Sequence, residues 1–292
     1  MADDLPRPDL LVELPDGRRM AVDDRGDPSG TPVLYVHGTP DSRLARHPDD
    51  AVAAAAGVRL IAADRPGIGG SDPDPAATPA SVADDLAAVL DVLDVAEAGV
   101  LSWSAGSLFS LAFAGAHAVR CRRLVLAAPL VPADGYDDPA VVDGADDGRR
   151  LFADAHRGMH PDAVGDELAP WLVPPVIDDA TARELMAGSI AALADIPGAD
   201  HQLAVAVRAS VAHGHVGVAR EIAAQAVPLA SLLDRIGADV RIHVGADDTV
   251  TPPAMASWIG RRVGVEPVVH TGVGHELAIR CWSALLAEAA GP

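Results

Sequence analysis

Apolar and polar positions alternate in two rhythms along the first third of the chain. Apolar runs of strand length, Pro32–Val36, Val58–Ala63, Gly99–Trp103 and Arg123–Ala128, are separated by stretches with helical spacing. Ahead of them, Leu11–Leu14 and Arg19–Val22 flank Pro15-Asp16-Gly17, a hairpin pattern. Pro48–Ala56 is Ala-rich and stops at Gly57, as a helix would. Thr78-Pro79 predicts another helix start, Thr as N-cap and Pro in the first turn, with the helix running to about Val95. Leu108–Val119 reads as a third helix. Repeated strand–helix–strand units of this length predict a parallel sheet with helices on both faces. In such sheets the chemistry sits at the carboxyl ends of the strands.

From Val131 to about Pro228 the rhythm breaks. Helical patterns persist, as in Thr181–Leu193 and Leu203–Val211, without clear strands. The alternation then resumes with strand Val240–Val244, helix Pro253–Arg262, strand Pro267–His270 and helix Glu276–Ala290. The expected organisation is a core of residues 1–130 and 229–292 with a helical cap, 131–228, inserted after the sixth strand.

Charge narrows the partners. The 292 residues carry 42 Asp and Glu against 22 basic residues, a formal net charge of −20, and every basic residue is Arg. Without lysine there can be no Schiff-base or P-loop lysine. A field this negative repels polyanions, so no nucleic acid and no anionic membrane is expected as a partner. Apolar stretches such as Ala51–Ala56 are too short to span a bilayer, and Met1-Ala-Asp-Asp-Leu-Pro has no basic or apolar leader character. The expectation is a cytoplasmic protein acting on a small molecule, with a homo-oligomer left open. Cys121 and Cys281 read as buried or half-buried thiols rather than a disulfide framework. His156, His201, His213 and His215 have no carboxylate at a ligand spacing and read as surface histidines, so no metal is expected.

Three strand ends carry residues with chemical potential: His37-Gly38-Thr39, Asp64-Arg65-Pro66-Gly67, and Ser102-Trp103-Ser104-Ala105-Gly106. The last sits between a strand and a helix, with small residues two positions either side of Ser104. Such a turn leaves no room for larger side chains and holds the serine strained and exposed. The next N–H, from Ala105, lies at a helix N-terminus where it can stabilise an oxyanion. Ser102 stands where Gly is usual. Ser107 and Ser110 read as ordinary helical residues.

With these motifs in register, the chain resembles the α/β-hydrolase superfamily. Leu34-Tyr35-Val36-His37-Gly38-Thr39-Pro40 is similar to that superfamily's oxyanion loop, and Asp64–Asp72 to its Asp-x-Pro-Gly-x-Gly-x-Ser loop. Gly272-Val273-Gly274-His275 resembles its catalytic histidine loop. The resemblance implies an eight-stranded, mostly parallel sheet and a Ser–acid–His order. Ser104 is then the nucleophile and His275 the base, His270 being the rival. In Gly245–Pro252 the resembled pattern makes Asp248 the acid and Asp247 a turn residue. The oxyanion donors are the N–H groups of Thr39 and Ala105. His37, Gly38, Trp103 and Gly106 support them, with His37 ordering the oxyanion loop. Asp64 and Arg65 hold the neighbouring loop, or form a surface ion pair. The implied reaction needs no cofactor.

Within that superfamily, elbows bearing Asp serve dehalogenases and epoxide hydrolases, and Ser104 argues against both. A serine esterase or lactonase is the leading reading. A proline-type aminopeptidase and a cofactor-free perhydrolase use the same triad. A non-hydrolytic cyclase or lyase, or a ligand-binding protein, are the readings of another class. Residues 131–228 hold 16 acids against 6 Arg, net −10, so neutral or cationic substrates should enter more readily than polyanions. Met159, Trp171, Leu172 and Met186 are candidates to line an apolar pocket there.

Overall fold

The structure is a computed structural model that describes residues 5–144, 147–157, 159–172 and 174–291. Its strands are β1 (Leu10–Glu13), β2 (Arg19–Gly26), β3 (Thr31–Val36), β4 (Val58–Ala63), β5 (Ala98–Trp103), β6 (Cys121–Ala127), β7 (Asp239–Gly245) and β8 (Val268–His270). They form one sheet in the order β1-β2-β4-β3-β5-β6-β7-β8. The β1–β2 and β2–β4 pairs are antiparallel and the others parallel. This is the α/β-hydrolase arrangement, with β5 in the interior of the sheet.

Both faces are covered, which explains the unbroken apolar runs of the inner strands. Alternate residues go to opposite cores: Leu34 and Val36 to one, Val33 and Tyr35 to the other. The first core is closed by α2 (Pro79–Val92), α3 (Gly106–Ala116) and α12 (Pro253–Val263). The second is closed by α1 (Ala51–Ala55), α13 (Leu277–Arg280) and α14 (Trp282–Ala290). Thr78 caps α2 as the sequence predicts: its side chain accepts from Ser81 N while Ser81 Oγ accepts from Thr78 N.

Between β6 and β7 the described chain is helical. It runs through α4 (Pro139–Gly144), α5 (Asp147–His156), α6 (Pro161–Leu172), α7 (Asp179–Leu185), α8 (Ala187–Ala192), α9 (Ala199–Ser210), α10 (Val216–Ala224) and α11 (Ala230–Leu233). Two helices expected to be continuous are divided. Thr181–Leu193 loosens at Met186, and Glu276–Ala290 at Cys281, each with ψ near zero. The hydrogen bonding still threads through, from Met186 N to Ala182 O and from Leu285 N to Cys281 O, so these are slackened turns rather than stops.

Candidate active site

The turn after β5 is built by close approach. Ser104 has φ of 55°, a left-handed conformation that costs a non-glycine residue energy and is held by its surroundings. Ser104 N donates to Ala127 O at 3.0 Å, and Ser104 O accepts from Ser107 N at 3.0 Å. Gly106 is needed here, because a Cβ on it would lie 2.4 Å from Val36 O and 2.5 Å from His37 O. At the position where Gly is usual, Ser102 is fully buried and its Oγ accepts from Ser110 Oγ at 2.8 Å. Ser110 is therefore the partner of the departure from the pattern, not an ordinary helical residue. Ser107 likewise does more than fill a helix: its Oγ exchanges hydrogen bonds with the backbone of Leu130, tying the loop after β6 to the elbow.

Around this serine the tertiary structure gathers residues that are remote in sequence. His275 Nε2 lies 2.9 Å from Ser104 Oγ, and His275 Nδ1 lies 2.9 Å from Asp248 Oδ2. An ionised carboxylate only accepts, so Nδ1 carries the hydrogen and Nε2 is left to accept from the serine. Asp248 is 3% exposed. Burial opposes its ionisation, but hydrogen bonds from His275 and Thr251, with the charge of His275, outweigh it and lower its pKa. Asp248 Oδ1 accepts from Val250 N and Thr251 N, both at 2.8 Å. Asp247 is exposed and stands outside the relay. His270 also stands apart: its Nε2 meets His243 Nδ1 at 3.0 Å, and His243 Nε2 meets Glu288 at 2.6 Å.

Thr39 and Ala105 line one cavity with Ser104 and His275, of about 200 Å³. Among the described residues neither Thr39 N nor Ala105 N donates to a backbone acceptor. Leu185, Met186, Ser189 and Gln225, from the helical segment, line the same cavity, as do Leu130 and Val250. Met159 is exposed and lies elsewhere, and the side chains of Trp171 and Leu172 lie outside the described ones. A larger cavity of about 420 Å³ opens between Leu5, Pro175–Asp179 and Arg208–Gly214, away from this chemistry. Size does not pick out the site; convergent polar groups do.

The loop that follows β3 is clamped by Arg65. Arg65, 1% exposed, donates to His37 O at 2.6 Å, to Gly38 O at 2.8 Å and to Glu221 Oε1 at 2.5 Å. Glu221, on α10, also accepts from Thr39 Oγ1 at 2.7 Å. Arg65 and Asp64 thus form no surface pair: Asp64 is fully buried and accepts from Arg43 and from Gly70 N. His37 is buried and donates from Nδ1 to Gly38 O at 2.8 Å, and burial with the Arg65 charge depresses its pKa, so it stays neutral. The role of Glu221 had no signal in the sequence, since it lies 156 positions from Arg65. Thr251 was missed as well. Its Oγ1 lies 2.9 Å from both Asp248 Oδ2 and Ala128 O, yet it reads as a loop threonine.

Among the described residues no group of three or more His, Cys, Asp or Glu side chains is placed to hold a metal ion. No helix among them is long and apolar enough to cross a membrane.

Comparison with known proteins agrees with this architecture. A family model described as the alpha/beta hydrolase fold matches residues 31–164. An alpha/beta hydrolase fold protein from Nakamurella multipartita is 26% identical, with 97% of this chain and 99% of that one covered and a TM-score of 0.63. A thermophilic esterase from Thermogutta terrifontis is 24% identical over 95% of this chain and 94% of its own, with a TM-score of 0.59. An esterase from Exiguobacterium antarcticum is 22% identical over 96% and 98%, with a TM-score of 0.65. Among curated proteins none matches the chain. The chain has the α/β-hydrolase fold, and it is an enzyme.

Proposed function

We propose that the protein is a serine hydrolase that cleaves a small carboxylic ester or lactone through an acyl-enzyme on Ser104. The observation that carries this reading is the continuous relay Ser104 Oγ–His275–Asp248, with both links at 2.9 Å, opening onto a cavity. His275 takes the serine proton as Oγ attacks the carbonyl, and Asp248 orients and stabilises the imidazolium. The N–H groups of Thr39 and Ala105 donate hydrogen bonds to the developing oxyanion. His275 then returns the proton to the leaving alcohol, and a water activated by the same base releases the acid.

The cavity's small volume and mixed lining favour a short acyl group over a long aliphatic chain. Two structures of the same fold are esterases, from Thermogutta terrifontis and Exiguobacterium antarcticum, in keeping with ester chemistry. The helices between β6 and β7 act as a cap over the cavity, contributing Leu185, Met186, Ser189 and Gln225 to its wall.

A panel of short activated esters, lactones and aminoacyl amides, assayed with wild type and Ser104→Ala, tests the proposal. Ester or lactone turnover that disappears in Ser104→Ala, with fluorophosphonate labelling confined to Ser104, is the expected result. Undiminished turnover in that variant overturns the proposal. Amide turnover exceeding ester turnover would shift it to a peptidase.

A further inference from the structure

The cavity beside Ser104 holds one titratable side chain that the relay does not use. Asp41 follows Thr39 by two residues on the same loop, and it lines the cavity with Thr39, Ser104 and His275. It is 5% exposed, and its Oδ1 is sealed from solvent with no hydrogen-bond partner among the described residues. Gly38 makes the room. A Cβ there would lie 3.1 Å from Asp41 Oδ2 and 3.3 Å from Ser104 Cβ, so the carboxyl and the nucleophile flank the same glycine.

The nearby cation does not neutralise this carboxyl. Arg65 spends Nε on Glu221, Nη1 on His37 O, and Nη2 on Gly38 O and Thr39 Oγ1. The charged and titratable groups around Asp41 are Arg65 from the loop after β4, Glu221 from α10, Tyr35 from β3 and His275 across the cavity. Burial dominates. It pushes the carboxyl up to about 8 against the pull of Arg65, and Glu221 adds to the rise. At pH 7 the protonated form predominates, with an O–H to donate and an oxygen to accept. A buried polar group without a partner costs folding free energy, and a turn of the carboxyl about its Cβ–Cγ bond toward the cavity lets a bound substrate supply that partner.

We propose that Asp41 is a specificity-determining residue that hydrogen-bonds a hydroxyl or carbonyl oxygen on the acyl side of the substrate, next to the carbonyl that Ser104 attacks. Esters of hydroxy or oxo acids are then preferred over their alkyl isosteres. The inference rests on the ester-hydrolase reading above. The acyl side is indicated because Asp41 shares its loop with the Thr39 oxyanion donor. Ionisation reverses its effect: an anion beside the developing oxyanion raises the barrier, so turnover falls as pH rises through the titration of Asp41.

The test compares kcat/KM for activated esters of 2-hydroxypropanoic and 2-methylpropanoic acid, from pH 6 to pH 10, in wild type, Asp41→Asn and Asp41→Leu. Wild type should favour the hydroxy ester by about tenfold at pH 7, the order of one buried hydrogen bond. Above pH 8 its kcat/KM should fall by up to about tenfold per pH unit, as for loss of one proton. Asp41→Leu should lose the preference, while Asp41→Asn should retain part of it and lose the alkaline fall. Fluorophosphonate labelling of Ser104 in each variant reports an intact nucleophile independently of Asp41. Equal wild-type rates on the two esters overturn the inference and leave the esterase reading standing, as does an alkaline fall that persists in Asp41→Asn. A marked preference for a 2-amino ester that Asp41→Asn abolishes would also overturn it, by making the carboxyl an anion. Absence of both turnover and labelling in wild type defeats the esterase reading, and this inference falls with it.

Discussion

The indole Nε1 of Trp103 donates a 2.8 Å hydrogen bond to the backbone carbonyl of His275, and the two rings lie 5.7 Å apart. Trp103 is the residue before Ser104 and is 1% exposed. The strand that raises the serine therefore also holds the histidine loop, across 172 positions of chain. Trp103→Phe keeps a ring but leaves a carbonyl without its donor. The expected result is a fall in kcat of about tenfold with KM little changed, the size of one misplaced hydrogen-bonded group. Steady-state kinetics with thermal unfolding of the same sample checks that the loss is local.

The two adjacent carboxylates separate cleanly. Asp248→Asn should lower kcat by roughly 10³–10⁴-fold, because an amide neither fixes the histidine tautomer nor stabilises its charged form. Asp247→Asn, at an exposed position, should stay within about twofold of wild type. Single-turnover acylation rates for both variants make the comparison free of product release.

Glu221 couples the helical segment to the oxyanion loop through Arg65 and Thr39. Glu221→Ala leaves a buried guanidinium uncompensated, a change that typically costs about 3–5 kcal/mol. The expected outcome is a clear drop in Tm together with reduced kcat. Glu221→Gln, whose amide oxygen can still accept from Arg65 while its NH2 can only donate toward Thr39 Oγ1, should lose less of both. An unaltered Tm in Glu221→Ala would show that the pair carries no structural load.

Asp41 also predicts a pH dependence of stability. Its folded pKa, about 8, lies above the ordinary carboxylate value. Between those two values the folded state keeps a proton that the unfolded state releases, so this group's contribution to stability falls as pH rises and levels off above the folded value. Replacing it by Asn removes that loss. Asp41→Asn should therefore raise Tm at pH 7.5 by more than at pH 4.5, and thermal melts of the two proteins across that range measure the difference.

At Gly106 the constraint is steric. A Cβ would press on the carbonyl oxygen of Val36, at the end of β3, and on that of His37, which Arg65 holds. Gly106→Ala should lower both stability and acylation rate by distorting the elbow. Denaturant midpoints and burst amplitudes are the corresponding measurements.

Much of this protein was legible from the chain. Unbroken apolar runs mark the inner strands because both sheet faces are buried, and the Thr78-Pro79 start marks α2 through local capping chemistry. The tight turn put Ser104 forward, the family resemblance put Asp248 and His275 forward, and the structure sets the three side chains within hydrogen-bond reach of one another. Local patterns could not show the slackening at Met186 and Cys281, since helical spacing is the same on either side of each.

Sequence alone thus determined what local physics controls: the alternation of elements, the strained turn at Ser104, the caps, and a charge that disfavours polyanions. Only the tertiary structure decided what distant residues do to one another. It brought Glu221 from α10 to Arg65 and Thr39, set Thr251 against Asp248, paired Ser102 with Ser110, and anchored His275 on Trp103. It also changed the meaning of Asp41, which as a letter in an acidic chain is one more surface charge. Removed from water and left without a cation, the same carboxyl becomes a neutral hydrogen-bonding group in the cavity. Desolvation and pairing depend on position in space, and spacing along the chain carries no record of either.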